Sequence, residues 1–145
     1  MSGVGRKGKD EGKLRSGVVA VIVRDDRFLV IRRADHVEAP GAFCFPGGAV
    51  EPGETEPQTL CRELAEELGV EVEPVACVWR SVTAWQVSLA WWTAMLGENA
   101  QVRPNASEVA SAHWLTANEL RVTADLLSSN HEFLDAIDRG EVVIG

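Results

Sequence analysis

Apolar and polar positions alternate along this chain in blocks, and the blocks define its elements. SGVVAVIVRD, from Ser16, and RFLVIRR, from Arg27, are β-branched apolar runs separated by little more than Asp-Asp-Arg, which predicts a hairpin. Residues 34–48, ADHVEAPGAFCFPGG, are broken by Pro40-Gly41 and Pro46-Gly47 and read as a long loop of the kind that carries function. A helix follows: Thr55 with Gln58 suits a capping box, Pro57 lies in the first turn, and Gly69 stands just past Leu68 as the stop. VEPVACVWRSV and AWQVSLAWWTAML are strand-like, a turn falls at GENAQ, and polar RPNASEVAS leads into the strand AHWL. Thr116 with Glu119 caps a short helix over ANELRV, and SSNHEFLDAIDRG forms a terminal helix with a Ser/Asn start and Gly140 as its stop. Strands mixed with two or three helices indicate an α/β or α+β sandwich.

On the first helix, at about 100° per residue, Leu60, Leu64, Leu68, Cys61 and Ala65 span roughly 0–140° and form the stripe that must be buried. Glu66, Glu63 and Glu67 fall near about 240°, 300° and 340°, together on one arc beside that stripe. Like-charged i,i+4 pairs cost roughly 0.2–0.5 kcal/mol each, and no lysine is interleaved among them. Glutamates near a helix C-terminus also oppose the macrodipole. Two readings remain open on geometry alone. One is a solvated acidic face, and the other is a set of carboxylate oxygens for a hard divalent cation.

Composition narrows the field. The 145 residues and their 46% apolar content suit one globular domain, here 15–145, behind a polar, glycine-rich, flexible arm at 1–14. Nothing apolar follows the early lysines and glycines as in a signal peptide, and no run is long enough to span a membrane, so a cytoplasmic protein without membrane contact is expected. Cys44, Cys61 and Cys77 are odd in number and dispersed, which argues against a disulfide framework or a zinc site; His36, His113 and His131 are equally scattered. A net charge of −8 disfavours nucleic-acid polymers but leaves room for a small anion bridged by a metal cation.

From Gly48 to Val70 the chain reads G-x₅-E-x₇-R-E-U-x-E-E-x-G-U, with U a bulky aliphatic residue. Gly48, Glu54, Arg62, Glu63, Leu64, Glu66, Glu67, Gly69 and Val70 fill every specified position. This stretch resembles a complete Nudix box, and the surrounding order of strands and helices extends the resemblance over roughly residues 16–139.

The resemblance implies a Nudix-type α/β/α sandwich with a mixed central sheet. It also implies an enzyme that hydrolyses the phosphoanhydride of a nucleoside diphosphate linked to another group, using Mg²⁺ or Mn²⁺. By resemblance, Glu63, Glu66 and Glu67 would be metal ligands, the Gly48 carbonyl would add another, and Arg62 would orient carboxylates with Glu54 as its partner. In SEVASAHWL, Glu108 would be a further ligand or the base that activates water, a role it shares as a candidate with Glu63. Phe43, in AFCFPGG, stands where many relatives carry Trp, and with Arg33 it is a candidate for substrate binding; Phe43 as a core residue is the other reading. Trp79 and Trp85 are weaker stacking candidates, and of Trp91 and Trp92 at least one should be core.

Pro74 and Pro104 have no proline between them and the chain has no tyrosine, so the marks of ADP-ribose and of many diadenosine polyphosphate hydrolases are missing. A MutT-like nucleoside triphosphate pyrophosphohydrolase, including one for oxidised nucleotides, is the expectation. An ADP-ribose or nucleotide-sugar pyrophosphatase and a non-catalytic nucleotide-binding module are the alternatives. Relatives often dimerise, which makes a homodimer an expectation as well.

Overall fold

The computed structural model describes residues 15–144. The expected arm at 1–14 lies outside the described residues. Eight strands run β1 (Arg15–Val21), β2 (Val23–Arg24), β3 (Arg27–Arg33), β4 (Phe43–Cys44), β5 (Gly47–Ala49), β6 (Val72–Val82), β7 (Val87–Leu96) and β8 (Val109–Leu115). The helices are α1 (Glu56–Leu68), α2 (Ala117–Arg121) and α3 (Ser128–Asp138).

The strands form two four-stranded sheets. One has the order β5-β1-β7-β6 and is mixed, because β1 and β7 are parallel while both outer pairs are antiparallel. In the other, β3 pairs antiparallel with β2, β4 and β8. The apolar run from Ser16 therefore does not stay in one hairpin. It breaks at Ile22, so that β1 serves the first sheet and β2 the second, with Asp25 and Asp26 at positive φ in the turn to β3. The loop at 34–48 likewise contains two short strands, β4 and most of β5, and β8 begins three residues before AHWL.

Strand alternation splits the interior into two cores. Val18, Ala20, Leu29 and Ile31 pack with Leu60, Leu64 and Leu68 of α1 on one side. Val19, Val21, Phe28 and Val30 pack with Leu120 of α2 and Phe133 and Leu134 of α3 on the other. This is the α/β/α layering expected. The three α1 leucines are fully buried, which contributes roughly 1.5–3 kcal/mol each and fixes the rotation of the helix. Trp91 stacks on Phe133 at 4.4 Å between ring centroids and is core, Trp79 tilts against both and is half-buried, and Trp92 packs toward the other side. Trp85, at the β6–β7 turn, is exposed.

The start of α1 is fixed from two directions. Thr55 and Gln58 form the reciprocal capping box, and Gly69 closes the helix in the left-handed conformation. Glu56 accepts hydrogen bonds from Trp92 Nε1 at 2.9 Å and from both Nη atoms of Arg80 at 2.9 and 3.0 Å, which ties the first turn to the β6–β7 ribbon. α2 has the expected Thr116–Glu119 box. α3 differs: Leu127 stands at its N-cap with no side-chain bond, because leucine carries no acceptor, and the expected Ser/Asn start falls inside the first turn.

Candidate active site

β5 lies antiparallel to β1, with Val18 opposite Gly48 and Val19 opposite Gly47. This pairing brings the backbone of both glycines against α1 and leaves no free space for a side chain at either. A side chain at Gly47 would run into the Val18 carbonyl, and one at Gly48 would overlap the carboxylate of Glu63. Glu67 is only 6% exposed and its Oε1 accepts a hydrogen bond from the Gly47 N–H at 3.2 Å.

Arg62 organises the neighbouring acids. Its Nε and Nη2 donate to the two carboxylate oxygens of Glu54 at 2.6 and 3.0 Å, its Nη1 to Glu63 at 2.9 Å and Glu66 at 3.1 Å, and its Nη2 also to the Ala49 carbonyl at 3.0 Å. The planar fork thus joins loop, β5 and helix. The Arg62 guanidinium holds the Glu54 carboxyl down at about 2, helped by the Glu51 N–H, while hydrogen bonding to Glu54 holds the Arg62 proton more tightly than usual.

Glu63 and Glu67 behave in the opposite way. Burial raises the Glu63 carboxyl against the pull of Arg62, and Glu66 and Glu108 push it the same way. Burial pushes Glu67 up to about 8, with the charges of Glu63 and Glu108 adding to it and the Gly47 N–H and Arg33 opposing. Glu108 is itself exposed, on the loop before β8, yet within electrostatic reach of both. The fold therefore gathers Glu63, Glu66, Glu67, Arg62, Gly48 and Glu108 into one region.

On the far side of the two glycines a cleft of about 350 Å³ opens between β1, β5, β7 and the start of α3. Gly47 and Gly48 line it, as do Arg33, Cys44, Phe45 and Asn130. Arg33 donates through Nε to the Glu38 carbonyl at 2.6 Å. Cys44 is buried, which pushes its thiol up to about 11. The structure does not bring Phe43 into this cleft: its ring turns to His113 at 5.7 Å and lies under the Arg32 guanidinium at 5.9 Å, because on β4 it points away from its neighbour Cys44. Phe43 is half-buried and packs against the edge of the second core.

In the sequence Asn130 stands out only as part of a helix start. Its Oδ1 accepts from the Phe45 N–H at 2.9 Å, 85 residues away along the chain, and the side chain is 3% exposed. With the carbonyl so occupied, the amide donor is the half left to face other partners; one proton goes to Ser129 Oγ at 3.1 Å. No local signal distinguishes such an asparagine from an ordinary capping residue.

An intact box, an α/β/α sandwich and an acidic helix packed against a glycine strand that lines a cleft define one class of protein, and comparison agrees. The NUDIX domain family matches residues 13–137, and the chain belongs to the Nudix hydrolase family. It is 40% identical over 83 residues to the CTP pyrophosphohydrolase of Escherichia coli, covering 55% of this chain and 62% of that protein, so it spans less than two thirds of that relative's length. It is 37% identical over 108 residues, 71% of this chain and 74% of the relative, to a Mycobacterium tuberculosis protein provisionally named 8-oxo-dGTP diphosphatase 2. Among solved structures, the MutT protein of Methanosarcina mazei superposes with a TM-score of 0.75 at 22% identity, over 88% of this chain and 95% of that one.

Proposed function

We propose that this chain is a divalent-metal-dependent pyrophosphohydrolase of nucleoside triphosphates, oxidised ones included. One observation carries the reading: Gly47 and Gly48 are shared walls, lining the cleft on one side and touching Glu67 and Glu63 on the other. A nucleoside seated in the cleft would lie against β5, which has the acidic helix on its other face. The 350 Å³ volume falls at the lower end of small-molecule sites. The relatives named for CTP and 8-oxo-dGTP support a triphosphate substrate.

The residues present fit a hard cation in donor type. Glu63 and Glu67 are disfavoured as anions where they stand, which is the condition a divalent ion relieves, and Gly48 leaves its backbone open to close approach. Among the described residues no three acidic, histidine or cysteine side chains converge as they stand, since Arg62 holds Glu63 and Glu66 and the Gly47 N–H holds Glu67. Glu63, Glu66 and Glu67, with Glu108 and the Gly48 carbonyl, are the residues that would hold the ion. When bound, Mg²⁺ or Mn²⁺ supplies an activated water and offsets charge on the phosphoryl oxygens.

This chain's residues do the rest. Arg33 lines the cleft and places a cation where phosphate oxygens would lie. Asn130 offers its amide to an acceptor on the base. Glu63 or Glu108 takes the proton from the attacking water. Arg62 bridges Glu54, Glu63 and Glu66 and offsets their mutual repulsion. The net charge of −8 favours a small nucleotide over a polymer, and among the described residues no helix is long and apolar enough to cross a membrane.

The test is a phosphate- and pyrophosphate-release screen with Mg²⁺ over nucleoside triphosphates, 8-oxo-dGTP, ADP-ribose, nucleotide sugars and dinucleoside polyphosphates. Pyrophosphate release from triphosphates is the expected result. Turnover of ADP-ribose or sugar nucleotides alone would overturn the substrate class, and no release from any would leave a binding module.

A further inference from the structure

The last turn of α1 ends in four carbonyls that have no partner within the helix, and all four are satisfied. Ala65 O accepts from the Gly69 N–H at 3.0 Å, and Leu68 O from the Arg103 N–H at 2.7 Å. The two that belong to Glu66 and Glu67 are both taken by one residue. Asn105 donates its Nδ2 to Glu66 O at 3.2 Å and its backbone N–H to Glu67 O at 2.8 Å.

The same residue builds the turn that carries Glu108. The Asn105 carbonyl accepts from the Glu108 N–H at 2.9 Å and the Val109 N–H at 2.8 Å. Its Oδ1 accepts from the Ser107 N–H at 3.2 Å and from Ser107 Oγ at 2.8 Å. All four polar groups of Asn105 are engaged, donors toward α1 and acceptors toward the Glu108 turn. On its other side that turn is anchored to the end of β3, where the Ala34 N–H donates to Glu108 O at 3.0 Å and His36 Nε2 meets Ser107 O at 2.6 Å.

We infer that Asn105 is a positioning residue, which holds the Glu108 carboxylate at a fixed separation from Glu66 and Glu67. This rests on the reading above in which Glu108 takes part in hydrolysis. The residue type follows from the geometry. Only a short side chain with a donor and an acceptor on one carbon can bridge a helix end and an adjoining turn. Aspartate keeps the acceptor for Ser107 but loses the donor to Glu66 O and sets a negative charge at the negative end of the helix dipole. Alanine loses both. A registry error of even 1 Å between reacting groups costs up to about 10²-fold in rate.

The test combines kinetics with hydrogen exchange. With Mg²⁺ and the preferred triphosphate, Asn105→Ala is expected to lower kcat about tenfold, with KM moving by less than about twofold. In a Glu108→Gln background the same substitution should change kcat by less than about twofold, because the group being positioned is already gone. In metal-free protein, amide exchange at Glu108 and Val109 should accelerate about tenfold or more in Asn105→Ala, while the melting temperature stays within a few degrees. If Asn105→Ala does not fold, Asn105→Asp serves in its place, with the same directions expected. An equal kcat loss in both backgrounds, or unchanged exchange at 108–109, overturns the proposal. Failure of the enzymatic reading looks different: the wild type then releases nothing from any nucleotide, and the exchange measurement still decides whether Asn105 holds the turn.

Discussion

The carboxylate of Glu63 fills the volume that a side chain at Gly48 would need. β5 is held in that position by its pairing with β1, so it cannot retreat, whereas the end of a glutamate side chain can swing. Gly48→Ala is therefore expected to cost little stability, about 1 kcal/mol or less. It should nevertheless lower kcat by about 10²-fold, because Glu63 is displaced from its place beside Glu67. Thermal melting and steady-state kinetics on one preparation check both halves; a normal kcat would mean that Glu63 works from some other position.

Arg62 reaches Glu54, Glu63, Glu66 and the Ala49 carbonyl through a planar fork that lysine cannot reproduce. Arg62→Lys should loosen the 49–54 loop and lower kcat by about tenfold or more. It also makes a pH prediction. The Glu54 carboxyl is held down at about 2 by Arg62, so its stabilising effect is full above the ordinary value of 4.5 and is lost as pH falls toward 2. With lysine in place that effect shrinks, and the acid-unfolding midpoint should move to higher pH. Circular dichroism against pH reads it, and coincident acid transitions would show that the ion pair adds nothing.

What could be read in the sequence was local. Thr55 with Gln58, Thr116 with Glu119 and Gly69 act within a turn of themselves, and helical periodicity alone placed three glutamates on one arc. Ile22 shows where that approach stops. A β-branched run looks the same whether one sheet or two receive it, and only the parallel pairing of β1 with β7 forces the break. β4 and β5 are two and three residues long, too short to show alternation inside a loop rich in glycine and proline. Asn130 and Asn105 matter through bonds to Phe45 and Glu66, 85 and 39 residues away, a distance across which no sequence spacing carries information.

Asn130 supports the cleft and faces it at once. Asn130→Ala leaves the Phe45 N–H buried without its acceptor, at a cost of about 1–3 kcal/mol. It also removes the amide offered to the base. KM for the preferred triphosphate should rise more than for a triphosphate whose base lacks the matching acceptor. Competition kinetics between two such substrates measure this, and an equal rise for both would reduce Asn130 to a structural role.

Glu67 is where stability and activity conflict. Burial and the charge of Glu63 lift its carboxyl to about 8 from 4.5, so between those values the folded protein binds more protons than the unfolded chain. Metal-free protein should lose stability as pH rises through that window, with the loss complete above about pH 8. Replacing the acid with a neutral amide of the same shape removes the penalty. In chelator, Glu67→Gln is therefore expected to melt above the wild type at pH 8.5 and close to it at pH 4.5. Added magnesium should raise the wild-type melting temperature at pH 8.5 and leave the variant nearly unchanged, because a bound ion stabilises only the protein that holds it. The kinetic cost should run the other way, with kcat falling by about 10³-fold or more in a protein that remains folded. Melting curves at both pH values with and without magnesium, followed by turnover assays, separate these effects. A Glu67→Gln protein with ordinary turnover, or a wild type that melts at the same temperature at pH 4.5 and 8.5 without metal, would show that this buried carboxylate is not the centre of the site.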